Sequence, residues 1–433
     1  MYYYSLNNHS IKADFKQATI EGQAPDRGLY FPSDIPSWSS SFINQLKTLD
    51  KVEIGYHILA PYVGNSIPND KLYTIIEETL SFDFPLKKIK ENIYTLELFN
   101  GPTLAFKDLG ARFLSRCLGY FAQSIGRKIT ILVATSGDTG GAVADAFFNV
   151  EGTEVIILYP SGKVSPVQEK QLTAMGGNIH ALEVKGDFDD CQRIVKAAFA
   201  DQDLKDKLFL TSANSINISR WLSQQIYYAI GVSQWQEAMP PIVAVPSGNF
   251  GNICAGLVAQ KSGLEIKHFI AACNSNDVFT QYINTGKFVA ADSVATISNA
   301  MDVGNPSNFI RILELFRNNH QELIKHVSSV SYNDELTEKA MQDVYQEHHY
   351  MLDPHAAVAY LAMEDWIKTN PSDKGFILGT AHPVKFPTVV ERVIKDAVPL
   401  PDQVALIIKK EKKAIQVAPN FAIVKEIIIQ LAS

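Results

Sequence analysis

The chain has 433 residues, of which 46% are hydrophobic and 20% are charged, a balance typical of folded globular proteins and unlike that of disordered chains. Lysine and arginine number 39 against 46 aspartates and glutamates, so the net charge of −7 argues against a nucleic-acid-binding surface. The four cysteines lack the paired spacing of a zinc site or a disulfide scaffold, so buried free thiols and no metal site are expected.

The first 95 residues contain prolines that interrupt short helical stretches, and we interpret this segment as an N-terminal extension packed on the rest of the protein. Its start has neither the basic leader nor the apolar core of a signal peptide, so no export is expected. Apolar runs throughout the chain have the length of strands, far short of the ~20 residues that span a bilayer. These features predict a cytoplasmic protein with no membrane partner.

Beyond residue 95, short apolar runs alternate with segments of helical period. The runs are rich in branched residues and are predicted as buried strands at 129–134, 155–159, 179–184, 242–245, 269–272 and 376–378. Helical spacing recurs between them, as at 142–147 and 191–199. Strands that alternate with helices predict an α/β fold whose parallel-rich sheets are covered on both faces.

Two of the predicted strands end in the same kind of loop. Residues 130–140 end in Thr-Ser-Gly-Asp-Thr-Gly, and residues 242–251 end in Ser-Gly-Asn-Phe-Gly, each before a helix rich in small residues. Glycines allow a sharp turn there, and the free amides of the following helix attract anions. The loops indicate two anion sites at the carboxyl ends of strands, although tight turns without a ligand would give the same pattern.

Lys107 is predicted to begin a helix, because an amphipathic run follows it. The positive end of a helix dipole and the apolar neighbours at 104–106 both favour the neutral amine. A neutral amine attacks carbonyl carbon, so Lys107 is a candidate nucleophile, whereas a lysine taken alone is more often a solvated surface residue. One amine beside two anion sites suits an aldehyde cofactor with a phosphate and a substrate with a carboxylate, which is the chemistry of pyridoxal phosphate.

Six segments in order along the chain resemble motifs of the threonine synthase family, within fold type II of the pyridoxal-phosphate enzymes. They are Gly22-Gln-Ala-Pro-Asp-Arg-Gly-Leu-Tyr-Phe-Pro32, Asn100-Gly-Pro-Thr-Leu-Ala-Phe-Lys-Asp108, Thr135-Ser-Gly-Asp-Thr-Gly140, Ser212-Ala-Asn-Ser-Ile-Asn-Ile-Ser-Arg220, Pro246-Ser-Gly-Asn-Phe-Gly-Asn252 and Gly379-Thr-Ala-His-Pro383. The resemblance is closest to the bacterial and fungal branch. It implies two open, parallel-rich sheets wrapped by helices. The implied units are an extension at 1–95, a smaller mobile domain at 96–225 with Lys107 near the interface, and a larger cofactor-phosphate domain at 226–433.

The resemblance also implies which residues hold the cofactor. Lys107 would form the Schiff base with pyridoxal 5'-phosphate and then shuttle protons, and Thr380 would meet the pyridine nitrogen. The implied phosphate cradle is Gly248, Asn249, Phe250, Gly251 and Asn252. Asp138 stands where many fold-type-II enzymes have asparagine against the ring oxygen, so we expect it to need a proton or a shifted position.

For the substrate, the resemblance implies two groups of residues. Those at the carboxylate are Thr135, Ser136, Gly137 and Thr139, and those at the phosphate are Asn214, Ser215 and Arg220, the donors that a dianion requires. Lys163 and Arg112 could add positive charge, and the sequence leaves their roles open.

The implied reaction converts O-phospho-L-homoserine and water into L-threonine and phosphate, by elimination at Cγ and addition of water at Cβ. Because stray water must be excluded, the smaller domain is predicted to close over the cofactor. The resemblance also implies a monomer rather than a dimer. The alternatives are a phospho-lyase that releases an oxo acid and ammonia, a serine or threonine dehydratase, and a non-catalytic protein that binds phosphorylated metabolites.

Overall fold

The computed structural model describes residues 1–432. Its strands, in chain order, are β1 Tyr3–Ser5, β2 Lys12–Ala13, β3 Tyr30–Pro32, β4 Leu86–Lys90, β5 Ile93–Glu97, β6 Ile129–Ala134, β7 Thr153–Pro160, β8 Ile179–Val184, β9 Phe209–Thr211, β10 Ile242–Pro246, β11 His268–Cys273, β12 Val327–Ser331, β13 Gly375–Gly379 and β14 Ile415–Val417. Its α-helices are α1 Phe15–Glu21, α2 Ser40–Gln45, α3 Lys51–Val63, α4 Asn69–Thr79, α5 Lys107–Ile125, α6 Asp138–Phe147, α7 Pro166–Thr173, α8 Phe188–Ala200, α9 Gln202–Lys207, α10 Ile218–Leu222, α11 Gln225–Ser233, α12 Gly251–Ser262, α13 Val278–Thr285, α14 Phe309–Leu315, α15 His320–His326, α16 Asp334–His348, α17 Pro354–Thr369, α18 Pro387–Ile394, α19 Asp402–Ile408 and α20 Phe421–Ala432. Within residues 1–432, none of these helices is both long and apolar enough to cross a membrane.

Two parallel-rich sheets form the centre of the molecule. The larger has the order β12-β11-β10-β13-β5-β4, in which only β4 runs antiparallel to its neighbour. The smaller, β14-β8-β7-β6-β9, is parallel throughout. The predicted α/β fold is therefore confirmed, and each of the six predicted strands lies within an observed one. Every residue of β6, β7, β10 and β13 is buried, which explains their continuous apolar sequences.

The N-terminal segment has a sheet of its own, β2-β1-β3, which is antiparallel. Its helix α1 packs on α5 through Phe15, whose ring centroid lies 6.4 Å from those of Phe113 and Phe121. The hydroxyl of Tyr3 donates to the carbonyl of Tyr62 on α3 at 2.6 Å. Aromatic and backbone contacts thus hold this segment against the body of the protein.

The predicted domain boundaries at 95 and 225 stay a prediction, and the two sheets do not follow them. Strands β4 and β5, at 86–97, belong to the larger sheet, although most of that sheet comes from residues after 240. Strand β14, near the C-terminus, pairs in parallel with β8 of the smaller sheet, with Ile415 opposite Leu182. It covers an edge that would otherwise present unpaired backbone groups.

Candidate active site

The segment before Lys107 is bonded to the residues that follow β13. The amide of Phe106 donates to the carbonyl of Thr380 at 2.8 Å, and the amide of His382 donates to the carbonyl of Leu104 at 3.0 Å. Leu104 has a φ of +60°, a conformation that few residues with a side chain adopt, at the bend before these bonds. Lys107 then begins α5 as predicted, and the preceding residue, Phe106, is held beside Thr380 by its backbone hydrogen bond.

The Lys107 amine lies in a charged but largely buried environment. Its Nζ is 3.5 Å from Oδ2 of Asp138, and its side chain is 17% exposed. Burial lowers the pKa of Lys107, and the charges of Lys385 and Arg220 lower it further, against the opposing attraction of Asp138. The neutral amine predicted from the sequence is therefore favoured by this environment.

The first strand-end loop joins β6 to α6 at 135–140, and we call it the Asp138 loop. The hydroxyl of Thr135 accepts hydrogen bonds from the amides of Gly137 at 3.0 Å and Gly140 at 2.9 Å, which closes the turn. Gly137 has a φ of +135°, and a Cβ there would lie 2.5 Å from the side chain of Gln168. This position requires glycine both for its backbone conformation and for the close approach of Gln168.

Asp138 is buried in the first turn of α6, where it meets two lysines. Its Oδ1 accepts from Nζ of Lys385 at 2.9 Å and from Nε2 of Gln168 at 2.9 Å. Burial alone would raise the pKa of Asp138, but Lys385, Lys107 and the hydrogen bonds outweigh it and lower the pKa. We expected from the sequence that this aspartate would need a proton or a shifted position. The structure instead balances its charge with the ammonium group of Lys385.

The second strand-end loop joins β10 to α12 at 247–252, and we call it the Asn249 loop. Phe250 precedes α12 with a φ of +59° and gives it no side-chain cap, so the first-turn amides of the helix remain available to an anion. A Cβ on Gly248 would lie 2.5 Å from the Cα of Met301, so the backbone of residue 301 passes directly over this loop. The loop therefore has the form predicted for a phosphate cradle.

Ser215 is hydrogen-bonded to the Asn249 loop. Its hydroxyl accepts from Nδ2 of Asn249 at 2.8 Å and from Nδ2 of Asn308 at 3.2 Å. Asn308 is held in turn by Arg311, whose fully buried guanidinium donates to Oδ1 of Asn308 at 2.7 Å and to the carbonyl of Ser215 at 3.1 Å. The predicted substrate-phosphate and cofactor-phosphate residues are thus neighbours in space.

Several buried polar groups near this point have capacity for a ligand. Arg220 is 2% exposed and donates to the carbonyl of Ala213, and burial lowers its pKa to about 10. Oδ1 of Asn214 and Nδ2 of Asn252 are buried without a partner among residues 1–432. Unpartnered buried polar atoms are costly, so a ligand that bonds to them would remove a penalty.

These groups line one open cleft of about 1460 Å³ between the two sheets. Of the predicted site residues, the cleft brings together Lys107, Thr135, Ser136, Asp138, Thr139, Asn214, Ser215, Arg220, Gly248, Asn249, Phe250, Gly251, Asn252 and Thr380. Lys163 also lines it. Gly137 supports the loop from behind, against Gln168. Arg112 points elsewhere, since its guanidinium donates to the carbonyl of Glu78 at 3.0 Å and lies 3.5 Å from Asp145.

The sequence analysis missed the residues that surround Asp138 on its far side. Lys385 is fully buried, and Gln168 and Gln171 are nearly so. One signal for Lys385 was its position two residues after Gly379-Thr-Ala-His-Pro383, between Val384 and Phe386. A lysine between apolar residues next to a site motif is a candidate for a buried cation, because an isolated buried charge requires a partner.

Comparison with known protein families identifies the family to which the chain belongs. A family profile described as "Pyridoxal-phosphate dependent enzyme" matches residues 78–378. Two further profiles, "Threonine synthase N terminus" and "Threonine synthase, C-terminal", match residues 2–80 and 356–428. The chain belongs to the threonine synthase family. Membership makes it a pyridoxal-phosphate-dependent lyase of fold type II, as the sequence motifs predicted.

Threonine synthases also stand among the most similar single proteins. Those of Serratia marcescens and Escherichia coli are each 44% identical to the chain, over 93% of both sequences. The crystal structure of the Escherichia coli enzyme has a TM-score of 0.92 and 41% identity, covering 99% of this chain and 100% of its own. The structure of "PLP bound Threonine synthase from Brucella melitensis" has a TM-score of 0.93 and 32% identity, covering 100% and 99%. The predicted fold class, family and function are confirmed.

Proposed function

We propose that the protein converts O-phospho-L-homoserine and water into L-threonine and phosphate, with its cofactor held between Lys107, Thr380 and the Asn249 loop. The observation that carries this assignment is the meeting of a largely buried amine and two strand-end loops in one cleft. Each loop begins a helix whose first-turn amides favour an anion. The cleft thus has one amine and two loops suited to anions, and Arg220 with Asn214 and Ser215 supplies donors for the third anionic group that substrate and cofactor together carry.

The residues present fit pyridoxal 5'-phosphate. The first turn of α12 has no side-chain cap, and Nδ2 of Asn252 is a buried donor that lacks a partner within residues 1–432. Thr380 would place a neutral hydroxyl at the pyridine nitrogen, which moderates the electron demand of the ring relative to a carboxylate partner. When bound, the cofactor supplies an electron sink that makes the substrate Cα–H bond acidic.

Lys107 would carry the protons of the reaction. Burial lowers the pKa of Lys107, which eases loss of its proton, and the free amine would accept a proton from substrate carbon and return it at a neighbouring carbon. Asp138, 3.5 Å away, is the carboxylate that orients this amine in the cleft. Lys107 would therefore have two roles, cofactor attachment and proton transfer.

The two ends of the substrate would bind to different elements. Ser136 and Thr139 line the cleft and suit the substrate carboxylate, while the Thr135 hydroxyl is engaged in closing the loop. At the other end, the guanidinium of Arg220 and the side chains of Asn214 and Ser215 would hold the phosphate until it leaves. Lys163 would add charge at the mouth of the cleft.

We further propose that the smaller sheet closes over the cleft with the Asp138 loop, as the predicted mobile domain requires, and that the protein acts as a cytoplasmic monomer. Four free, buried cysteine thiols suit a reducing compartment. Closure is tested by small-angle scattering, which should show a more compact particle when a substrate analogue is bound. The monomer is tested by light scattering, which should give the mass of one chain, 48.0 kDa.

The central test is an assay of the purified holoenzyme with O-phospho-L-homoserine that measures threonine and phosphate together. Equal amounts of both are expected. Phosphate accompanied by ammonia and an oxo acid, without threonine, would overturn the assignment in favour of a phospho-lyase. Borohydride reduction followed by peptide mapping is expected to place the cofactor on Lys107, and an unmodified Lys107 would exclude the proposed attachment.

A further inference from the structure

Lys385 is a second lysine behind the candidate active site, and the motif resemblance assigns it no role. It ends the short 3-10 turn Pro383–Lys385, and its side chain is 0% exposed. Its Nζ lies 2.9 Å from Oδ1 of Asp138. A charge this deeply buried requires partners for all of its donors.

The structure provides those partners. The Lys385 ammonium donates to Oδ1 of Asp138, to the carbonyl of Thr103 at 2.8 Å and to Oε1 of Gln171 at 2.9 Å. Nε2 of Gln171 donates to the same Thr103 carbonyl at 3.0 Å. All three N–H groups are therefore used, and Lys385 is a fixed cation that also holds the segment leading to Lys107.

The two oxygens of Asp138 consequently have different tasks. Oδ1 is saturated by Lys385 and Gln168, each at 2.9 Å. Oδ2 is the oxygen that faces Lys107, at 3.5 Å. The orientation of the carboxylate, and hence the direction from which Lys107 is attracted, depends on the bonds made at Oδ1.

We propose that Lys385 is a positioning residue for Lys107: it fixes the Asp138 carboxylate through one oxygen and balances its charge, so that the other oxygen orients the Lys107 amine without holding it protonated. The inference rests on the proposed function, because it concerns the amine assigned to cofactor attachment. It explains how an aspartate occupies a position where an uncompensated carboxylate would trap a proton on the neighbouring lysine.

The charges around Lys107 determine the direction in which each substitution should change its protonation. Lys107 is influenced by Asp138 on α6, Lys385 on the 3-10 turn and Arg220 on α10. Lys385 is near Asp138, Asp108 and His382. Without Lys385, an unbalanced carboxylate would favour protonated Lys107. Without Asp138, two positive neighbours would favour the neutral amine. Removing the charges of Lys385 and Asp138 together should give Lys107 a proton affinity between those of the two single variants.

The first experiment measures the reactivity of Lys107 directly in the cofactor-free, full-length protein. Acetic anhydride labels neutral amines, and peptide mapping at several pH values gives the labelling rate of Lys107 relative to the exposed Lys409. Lys385→Gln keeps an amide donor but removes the charge, and it is expected to slow Lys107 labelling at pH 8 by about tenfold. Asp138→Asn is expected to accelerate it, and the double variant to label within about threefold of the wild-type protein.

The second experiment uses the holoenzyme. In Lys385→Gln, kcat should fall by about 10- to 100-fold with KM changed less than about threefold, and Asp138→Asn/Lys385→Gln should recover at least tenfold of that loss. The matched control Lys374→Gln removes a lysine paired with Glu237 outside the cleft and should change neither readout. Absorption of the bound cofactor confirms loading of every variant.

The outcomes separate the two hypotheses. If Lys385→Gln labels and turns over as the wild-type protein does, or if the kcat of the double variant shows only the product of the two single losses in kcat, the positioning role is wrong. If Lys385→Gln does not fold, an unchanged labelling rate in Asp138→Asn overturns the proposal instead. Failure to form threonine would refute the proposed function, whereas the labelling rates of Lys107 would still decide the role of Lys385.

Discussion

The Asp138 loop and the Asn249 loop share one backbone design but differ in the charge of their side chains. Each follows a buried parallel strand and begins a helix. The Asp138 loop contains a buried carboxylate that lies within 3.5 Å of two lysines. The Asn249 loop has only uncharged side chains and is held by amide and hydroxyl groups, including the hydrogen bond from Asn249 to Ser215.

This difference shows that similar strand-to-helix turns need not bind similar ligands. Amides at a helix N-terminus suit a phosphate dianion where the protein contributes no negative charge of its own, as at the Asn249 loop. At the Asp138 loop, the same amides stand beside a carboxylate whose charge is already balanced by lysines. The proposed roles follow this difference: a phosphate at the uncharged Asn249 loop, and the substrate carboxylate together with the Lys107 amine at the Asp138 loop.

The largest effect is expected at the amine that the Asp138 loop faces. Lys107→Ala should lower kcat by at least about 1000-fold, because it removes both cofactor attachment and proton transfer. Steady-state assays measure this loss, with Lys409→Ala on the exposed C-terminal segment as the control. Retention of more than a tenth of the activity would contradict the proposed role of Lys107 in cofactor attachment and proton transfer.

The support of the Asn249 loop can be broken at Arg311. Its buried guanidinium donates to the carbonyls of Tyr30, Ser215 and Ile216 and stacks on Trp221. Arg311→Met keeps the apolar stem but leaves those carbonyls without a donor, so the free energy of unfolding should fall by about 3 to 4 kcal/mol.

Urea denaturation measures the change at Arg311. The control is Arg392→Met, which breaks an exposed ion pair with Glu338 and should lower the free energy of unfolding by less than about 1 kcal/mol. Equal losses in the two variants would mean that the Arg311 hydrogen bonds do not stabilise the loop.

A second buried carboxylate sharpens the contrast, because it lacks a bonded lysine. Burial raises the pKa of Asp108 to about 6, although the hydrogen bonds that it accepts from Thr103 lower the pKa in part. The folded state therefore binds a proton more tightly than the unfolded state, and stability falls as pH rises from about 4 through 6. Asp108→Asn should gain up to about 3 kcal/mol at pH 8 and little at pH 4.

Denaturation curves of the Asp108→Asn holoenzyme at the two pH values test this sign. The exposed Asp396 is the control, since its hydrogen bond to Tyr345 lowers its pKa and Asp396→Asn should bring no gain at pH 8. A gain for Asp108→Asn that is equal at both pH values would refute the role of ionisation.

The smallest effect is expected from adding a methyl group at each loop, which should weaken cofactor binding at one loop and not at the other. In Gly248→Ala the added Cβ meets the backbone of Met301, and cofactor affinity should weaken by about 10- to 100-fold. In Gly141→Ala, beside the Asp138 loop, the nearest atom is a side-chain carbon of Gln171 at 3.2 Å, and affinity should change less than about threefold. Equilibrium titration of the cofactor-free protein with pyridoxal phosphate compares the two.

The sequence predicted those features that local patterns determine. Buried parallel strands such as β6 and β10 are continuous apolar runs, and the glycine-rich loops after them mark turns, so both were recognisable. The predicted residues of the Asp138 and Asn249 loops, apart from Gly137, line one cleft. Their assigned contacts with cofactor and substrate remain predictions.

Long-range pairing explains what the sequence did not reveal. Asp138 and Lys385 are 247 positions apart, and neither residue is unusual in its own segment. The three-residue strand β14 has exposed residues at two of its positions and no strong apolar pattern. Its place beside β8 depends on tertiary contacts that no local period can predict.

The hydrogen bond between Phe106 and Thr380 links the start of α5 to the larger sheet, whereas Asp138 is carried by the smaller sheet. Any relative movement of the two sheets would preserve the spacing between residues 107 and 380 and alter the 3.5 Å gap between Lys107 and Asp138. A closing movement of the proposed kind would therefore change the distance from Lys107 to Asp138 and also strain the bond from Lys385 to Asp138, which crosses the same boundary. The pKa of the reactive nitrogen would consequently depend on how far the cleft has closed.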